Sequence, residues 1–240
     1  MLSLFYSATL ADSSSITIDG DEAHHAIKVM RMEIGELLQV TDGKGAWVEG
    51  SITKIEKKSF TIKVNERGHR DQRRPELVVI QALTKSDRAK EMIELLVEGG
   101  ANQIIPWQSH NSVAKWREDM HEKWESAVIA ACKQSRRYNF PQVERPISLN
   151  HIRERFSADS LILVFHESAA EPISVVLSAS AIAFNQIVVV IGPEGGLSHD
   201  EIREFAGIGA KVVRLGNPVL RSAHAGIAAL SAVQALIKRW

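Results

Sequence analysis

The residues with the clearest chemical potential lie in a glycine-rich segment, IGPEGGLS at 191–198, which follows a strongly apolar run at 187–191. Glycine permits positive φ angles and lets a ligand approach bare backbone. Ser198 and Glu201 are three residues apart, which is the spacing of a capping box at the start of a helix. Ligands bind where the strands of an open α/β sheet end, so this pattern predicts a strand, a ligand-binding loop and a helix.

Two further segments repeat the arrangement of an apolar strand followed by a polar loop. Residues 215–226 place glycine, asparagine and proline before an alanine-rich helix, and His166 and Glu167 follow the apolar run 161–165. The carboxyl ends of parallel strands lie along one edge of a sheet, so we expect the three loops to wall one pocket. None of them has the GxxxxGK[ST] or GxGxxG spacing, which argues against a nucleotide-dependent enzyme.

Basic residues are concentrated near two helices predicted in the middle of the chain. Lys85 and Arg88 lie at the start of a helix predicted at about 86–98, and the sequence KQSRR at 133–137 ends a helix predicted at about 117–137. Lysine and arginine side chains bind phosphate oxygens and base edges. These residues are therefore candidates for contact with a nucleic acid.

The elements that must position these residues fall into two predicted domains. Short alternating strands and an Asp42-Gly43 turn predict a small β-barrel over residues 1–72, and the hydrophilic stretch 66–75 is interpreted as a linker. Residues 73–240 alternate continuous apolar strands with helices, which is typical of an α/β domain with a buried parallel sheet. Its predicted strands are 77–83, 103–106, 161–165, 187–191 and 211–215, and its remaining helices are 172–181, 198–205 and a terminal helix from about 223.

Composition narrows the class of protein further. The chain has 240 residues, of which 45% are hydrophobic, and its 29 Lys and Arg balance 29 Asp and Glu. A general polyelectrolyte binder would be far more basic, so any RNA must be bound through local patches. The apolar runs are much shorter than the ~20 residues of a membrane span, and the N-terminus lacks the basic start of a secretory signal. One cysteine, Cys132, and no Cys/His cluster predict a cytoplasmic protein without a disulfide or a metal site.

Five blocks of residues are spread along the chain: HHxxxVMRxxxG at 24–35, KxDR at 85–88, QSxR at 134–137, IGPEGGLS at 191–198 and LGxxVLR at 215–221. Taken together, they resemble the bacterial 16S ribosomal RNA (uracil-N3) methyltransferase family, within the SPOUT superfamily of knotted methyltransferases. The resemblance covers essentially the whole chain, and the histidine block separates this family from its knotted relatives.

The resemblance implies a fold, an activity and a cofactor. The first domain would be a PUA-like β-barrel that helps to hold RNA, and the second a SPOUT-type α/β domain with a deep trefoil knot. The implied activity is S-adenosylmethionine-dependent methylation of N3 of a specific uridine in the 16S rRNA of the small ribosomal subunit, performed by a homodimer. The residues implied to bind the cofactor are Phe165, His166, Glu167, Ile191, Gly192, Pro193, Glu194, Gly196, Leu215, Gly216, Val219, Leu220, Arg221, Ala223 and Ala225.

Catalytic roles follow from what methylation of uracil N3 requires, which is the removal of a weakly acidic proton. A nearby cation that stabilises the developing anion, or a positioned base, would achieve this. Arg221 or the pair Arg136 and Arg137 is the candidate cation, and Glu194, Glu167 or His224 is the candidate base. The residues expected to hold RNA are His25, Arg31, Lys85, Arg88, Arg137 and the arginines within 67–74.

One departure from the family pattern bears on the alternatives. The family commonly reads LRAETA where this chain reads LRSAHA at 220–225, so Ala223 and His224 replace an acidic residue and a threonine. A role for that carboxylate does not carry over. The alternatives are a knotted ribose 2′-O-methyltransferase and a non-catalytic RNA-binding or ribosome-assembly factor. Mapping the methylated atom separates the first from the main hypothesis, and titration with S-adenosylmethionine separates the second.

Overall fold

A computed structural model of the protein describes residues 2–84, 86–156, 159–177, 181 and 183–240, and of Ser86 and Asp87 only the backbone. The chain forms two compact units. One contains the residues up to Gln72 together with Cys132–Phe140, and the other contains Arg73–Ala131 and Pro141–Trp240. The sequence-based division assigned residues 132–140 to the second domain. It did so because a division at a single boundary cannot detect a segment that returns to the first.

The first unit is built mainly from five strands and a short helix: β1 (Ser3–Tyr6), β2 (Ser15–Asp19), α1 (Gly20–His24), a π-helical turn (His25–Val29), β3 (Leu37–Thr41), β4 (Ala46–Ile55) and β5 (Ser59–His69). The strand order is β1-β3-β4-β5-β2, with β1 parallel to β3 and the other neighbours antiparallel. Two strands separate β1 from β5, yet the rings of Phe5 and Phe60 are 5.8 Å apart. A flat sheet would place them about 14 Å apart, so the sheet curls around its apolar core.

Strand β5 extends into the stretch 66–75 that the sequence predicts as a linker. It continues to His69 and pairs with β4 through Glu66 opposite Glu49 and His69 opposite Ala46. The prediction that residues 66–75 form a linker is therefore wrong for the first part of that stretch. Strand pairing depends on backbone hydrogen bonds and requires no apolar side chain where both faces are exposed. Arg67, expected to hold RNA, donates instead to backbone carbonyls of its own unit.

The returning segment Cys132–Phe140 is held in the first unit by specific bonds. The carbonyl of Tyr138 accepts hydrogen bonds from the backbone of Gly45 at 3.0 Å and from the hydroxyl of Thr41 at 3.2 Å. The ammonium group of Lys133 forms an ion pair with Glu22. The segment is thus an integral part of this unit.

Cys132 is the single cysteine of the chain and is fully buried. Burial raises the pKa of its thiol to about 12, although the nearby charge of Arg137 acts in the opposite direction. The thiolate is the reactive form. We therefore expect no labelling of the native protein by a chromogenic disulfide reagent at about pH 8, and labelling of one thiol per chain after unfolding in guanidinium chloride. Rapid labelling without denaturant would contradict this assignment.

The second unit contains a parallel sheet with helices on both faces: β6 (Glu76–Ala82), α2 (Ser86–Glu98), β7 (Gln103–Trp107), α3 (Asp119–Ser135, of which the residues from Cys132 onward belong to the first unit), β8 (Gln142–Val143), α4 (Leu149–Arg155), β9 (Ser160–Phe165), α5 (Ile173–Val176), β10 (Gln186–Ile191), α6 (His199–Gly207), β11 (Lys211–Val213) and α7 (Ser222–Leu236). The strand order is β11-β9-β10-β6-β7-β8 and all neighbours are parallel. The predicted α/β class is confirmed.

The central strands are apolar on both faces because helices cover both. On one face, Phe156, which directly follows α4, and Phe205 of α6 belong to the same core cluster as Trp107 of β7. On the other face, α7 packs against β6, β10 and α2. From β6 the chain first extends the sheet through β7 and β8 and then returns to the opposite side of β6. Ligands of open α/β sheets bind near such a reversal, at the carboxyl ends of the strands.

Within the described residues, no helix combines the length and the apolar character needed to cross a bilayer.

Candidate active site

A cavity of about 310 Å³ opens at the carboxyl ends of β9, β10 and β11. All the residues predicted to bind the cofactor line it except Ala223, which is buried behind it with 1% exposure. Leu197, Pro218 and Ser222 also line the cavity and were not predicted. The three loops chosen from the sequence thus meet at one place, as expected for loops that follow parallel strands.

The glycine-rich loop has the backbone geometry that glycine allows. Gly196 has a φ angle of +71°, in the left-handed region, and its N–H donates to the carbonyl of Pro193 at 2.9 Å. A Cβ atom at Gly192 would lie 3.0 Å from the side chain of Leu197. The backbone of this loop consequently forms part of the cavity wall, with little side chain between it and a ligand.

A buried carboxylate fixes the end of this loop. Ser198 and Glu201 form the predicted capping box, in which Ser198 N donates to Glu201 Oε2 at 2.8 Å and Glu201 N donates to Ser198 Oγ at 3.2 Å. The other oxygen, Oε1, accepts from Ser109 Oγ at 2.9 Å and from His110 N at 2.7 Å. Glu201 therefore joins the start of α6 to the loop that follows β7.

A second buried connection holds the loop before α7. Ser222 Oγ donates to the carbonyl of Gly192 at 2.7 Å and accepts from Gln81 Nε2 at 3.1 Å. Both side chains are buried, and Gln81 lies on β6. Ser222 therefore connects the start of α7 both to the glycine-rich loop and to β6. Sequence reasoning missed this connection because nothing in the sequence around a serine at the start of a helix indicates its distant partner.

His166 and Glu167 supply the polar groups at the end of β9. The backbone N–H of Ser168 donates to His166 Nδ1 at 3.2 Å, so the proton of the neutral ring lies on Nε2. That nitrogen is 4.0 Å from Glu167 Oε2. The His166 backbone N–H donates to Val213 of β11 at 2.9 Å, which ties this loop to the neighbouring strand.

Arg221 and Glu194 are the charged residues of the cavity without a protein partner. Both side chains are exposed, and neither has a hydrogen-bond or ion-pair partner among the residues that the structure describes. Arg221 is the N-cap residue of α7, and its carbonyl accepts from the backbone N–H of Ala225 at 2.9 Å. Both side chains are therefore available to a ligand.

Other predicted residues belong to the first unit and do not line this cavity. Arg136, a predicted catalytic residue, and Arg31, a predicted RNA-binding residue, both have left-handed backbone with φ angles of 57° and 56°. The imidazole of His25 packs 6.3 Å from the ring of Phe5. Burial lowers the pKa of Arg137.

The remaining predicted residues belong to the second unit. Arg88 lies on α2, and Lys85 falls outside the described residues. His224, a candidate base, does not line the cavity, and its Nε2 atom lies 3.4 Å from Glu91 Oε1.

The charges of the cavity favour one class of ligand. Glu167 and Glu194 contribute two carboxylates, against one permanently charged cation, Arg221. A polyphosphate would meet net repulsion here, whereas a ligand that carries positive charge would be attracted. The described residues contain no cluster of His, Cys, Asp and Glu suited to a metal ion.

Comparison with known proteins gives this geometry a family. A family model for an RNA methyltransferase domain matches residues 71–234, and one for an RNA methyltransferase PUA domain matches residues 18–65. A ribosomal RNA small subunit methyltransferase E from Mycobacterium tuberculosis is 37% identical over 246 residues, which cover 99% of this chain and 93% of that protein. This chain belongs to the ribosomal RNA small subunit methyltransferase E family.

Other members and solved structures agree with this assignment. The methyltransferase E of Bacillus subtilis is 26% identical over 93% of this chain and 91% of its own length. The crystal structure of the methyltransferase E of Neisseria gonorrhoeae bound to S-adenosylmethionine has a TM-score of 0.86 and 25% identity, covering 98% of both chains. A Legionella pneumophila methyltransferase in complex with the same cofactor also gives a TM-score of 0.86, with 26% identity and 98% coverage of both chains. The resemblance stated from the sequence is confirmed.

Proposed function

We propose that the protein transfers a methyl group from S-adenosylmethionine to N3 of a uridine in the 16S rRNA of the small ribosomal subunit. The observation that carries this proposal is the convergence of three loops on one cavity in a member of this family. Two of its structural neighbours are bound to S-adenosylmethionine, which supports the choice of cofactor.

The groups that line the cavity fit this cofactor. The bare backbone of the glycine loop admits close approach, and the carboxylates of Glu167 and Glu194 complement the positive charge of a sulfonium. Residues of the loops 165–167, 191–197 and 215–225 would hold it. When bound, the cofactor supplies an electrophilic methyl group, and the protein contributes position and control of a proton.

Arg221 and Glu194 are suited to that control of the proton. In this proposal Glu194 accepts the N3 proton, and the guanidinium of Arg221 stabilises the negative charge that develops on the uracil ring. Both side chains line the cavity and are free of protein partners among the described residues. Because N3 lies on the Watson–Crick edge, the target uridine must be unpaired or displaced from its stack.

The fold proposed for the second unit is the SPOUT trefoil knot. The chain leaves β11 at the edge of the sheet and returns to the centre, where Ser222 bonds to the loop after β10 and to β6. A trefoil knot would require this segment to pass beneath a preceding loop, and the return to the centre of the sheet supports such a path. This part of the proposal is supported by topology and by the family.

We also propose a cytoplasmic homodimer. The helix α7 contains no Lys, Arg, Asp or Glu from Ser222 to Leu236, and apolar residues such as Ile227 and Leu236 remain partly exposed. Such a surface is typical of a subunit interface. Sedimentation of the purified protein would test the oligomeric state.

The experiment that tests the reaction is incubation of purified protein with labelled S-adenosylmethionine and small ribosomal subunits that lack the modification, followed by nucleoside mass spectrometry. The expected product is 3-methyluridine. A 2′-O-methylated nucleoside would establish the ribose methyltransferase instead. Absence of any product together with absence of cofactor binding would favour a non-catalytic RNA-binding factor.

Substitution of Ser222 tests the connection between the cofactor loops. Ser222→Ala leaves the carbonyl of Gly192 and the amide of Gln81 without their buried partner, at a cost of about 1–2 kcal/mol. We expect the KM for S-adenosylmethionine to rise roughly five- to tenfold with a much smaller change in kcat, since the loop positions the cofactor rather than the reacting atom. Ser231→Ala, in the middle of α7, is the control. An unchanged KM would show that the bond does not position the loop.

A further inference from the structure

A second cavity of about 1140 Å³ lies between α2, α3 and the loop that follows β7. We call it the α2–α3 groove. Ile93 of α2, Val113 of the loop, and Met120 and Ala127 of α3 form its apolar wall. None of the roles assigned above uses it, and all the residues that line it lie in the second unit.

The groove contains a buried hydroxyl that lacks a partner. Thr84, just beyond the end of β6, lines the groove with only 1% exposure, and its Oγ1 atom has no hydrogen-bond partner within the described part of the chain. Buried polar groups in folded proteins are almost always bonded. A ligand with a polar edge would satisfy this hydroxyl, which can either donate or accept.

The rim of the groove carries an excess of positive charge. Four cations, Lys90, Lys115, Arg117 and Lys123, line it against one carboxylate, Glu122, among the described residues.

Acidic neighbours outside the groove hold three of these cations only loosely. Lys90 pairs with Glu94 at 3.7 Å, and Asp119 pairs with Lys123 at 2.7 Å and with Arg117 at 3.3 Å. All these pairs are solvent-exposed and therefore weak, so a phosphate can replace the carboxylate. Lys115 has no ion-pair partner among the residues that the structure describes.

The groove and the cofactor cavity share a loop. Asn111 Nδ2 donates to the carbonyls of Gly195 and Gly196, at 3.3 and 3.1 Å, in the glycine-rich loop. The same loop then contributes Val113 and Lys115 to the groove. Both sites lie at the carboxyl edge of the sheet, so a single-stranded RNA that reaches one site is close to the other.

We propose that the α2–α3 groove binds an unpaired nucleotide of the substrate RNA close to the target uridine. The base lies against the apolar wall with its polar edge on the Thr84 hydroxyl, and the backbone phosphates lie among the rim cations, with Lys115 as the first contact. This inference rests on the proposed function. The excess of cations favours a polyanionic strand over a second copy of this chain, which carries no net charge.

The test places a bulky side chain in the groove by substituting a residue that is exposed to solvent and therefore tolerates the change. Ser126 lines the groove and is exposed on α3, whereas its neighbour Glu125 is exposed and does not line it. We expect Ser126→Trp to weaken binding of a fluorescein-labelled 16S rRNA hairpin by at least about tenfold in anisotropy titrations. Affinity for S-adenosylmethionine should stay unchanged. Glu125→Trp, the control, removes a carboxylate that pairs with His121 and should bind RNA at least as tightly as the wild type.

A second variant tests the phosphate contact. Lys115→Ala should reduce the slope of log K against log salt by about one, because one phosphate contact is lost. Wild-type RNA affinity in Ser126→Trp would overturn the proposal, and so would weaker RNA binding accompanied by a changed sedimentation coefficient, which would identify a second copy as the occupant. Failure of the proposed function would be seen in a different assay, in which the wild-type protein would form no 3-methyluridine.

Discussion

Arg221→Ala is expected to slow methyl transfer by about 10²–10³-fold while leaving affinity for S-adenosylmethionine within a factor of about three. The guanidinium is exposed at the cavity and free of partners in the described structure, so its loss removes no bond that stabilises the fold. In the proposed mechanism its contribution appears only when charge develops on the uracil ring, so the effect should fall on kcat. Single-turnover measurements on unmodified small subunits at saturating cofactor would measure it.

Two further variants sharpen this prediction. Arg203→Ala, an exposed arginine on α6 that pairs with Asp200, should methylate at the wild-type rate. Arg221→Lys retains the charge but not the planar donor fork, and is expected to recover part of the lost rate. Full activity of Arg221→Ala would remove this residue from the mechanism and return the role to Arg136.

Glu201→Ala is expected to lower the free energy of unfolding by about 3 kcal/mol, which corresponds to a decrease in Tm of roughly 6–12 °C. The carboxylate is 6% exposed, and it accepts from the backbone N–H groups of Ser198 and His110 and from the hydroxyl of Ser109. Truncation leaves three donors without their acceptor, of which the Ser109 hydroxyl is buried and the other two are partly buried. Differential scanning calorimetry would measure the change.

The matched control for this stability prediction lies on the same helix. Glu204 is exposed on α6, and Glu204→Ala should change the free energy of unfolding by no more than about 0.5 kcal/mol. Equal destabilisation by the two variants would show that helix propensity rather than the buried acceptor accounts for the effect. Because Glu201 also fixes the end of the glycine loop, weaker cofactor binding should accompany the lower Tm.

Much of the second unit could be predicted from periodicity. The strands β6, β9 and β10 are buried on both faces, so their sequences consist mainly of consecutive apolar residues and are easily recognised. The position of the cavity could also be predicted, since the loops that follow parallel strands lie together at one edge of the sheet. The strand β8 has only two residues and the helix α4 only seven, so neither produces a periodic signal, and both were missed.

The connections that hold the site could not be predicted. The partners Gln81 and Ser222 are 141 residues apart, and Ser109 and Glu201 are 92 apart. Serine and glutamine have no periodic preference that would reveal such pairs, because their positions are fixed by tertiary structure alone. The capping box was recognisable because both its residues are local. The prediction of a linker at 66–75 was wrong for a different reason, because the polar composition of that stretch was taken to exclude a strand.

The return of residues 132–140 to the first unit has a consequence for the order in which the newly made chain can fold. The ribosome releases the N-terminal residue first, so strands β1–β5 emerge well before the segment that completes their unit. That unit therefore cannot be completed until about 60 residues of the second unit, including β6 and β7, have been synthesised. The second sheet is completed later still, because β10 is inserted between β9 and β6 after both have been synthesised. The first unit can therefore be completed only after part of the second has been synthesised.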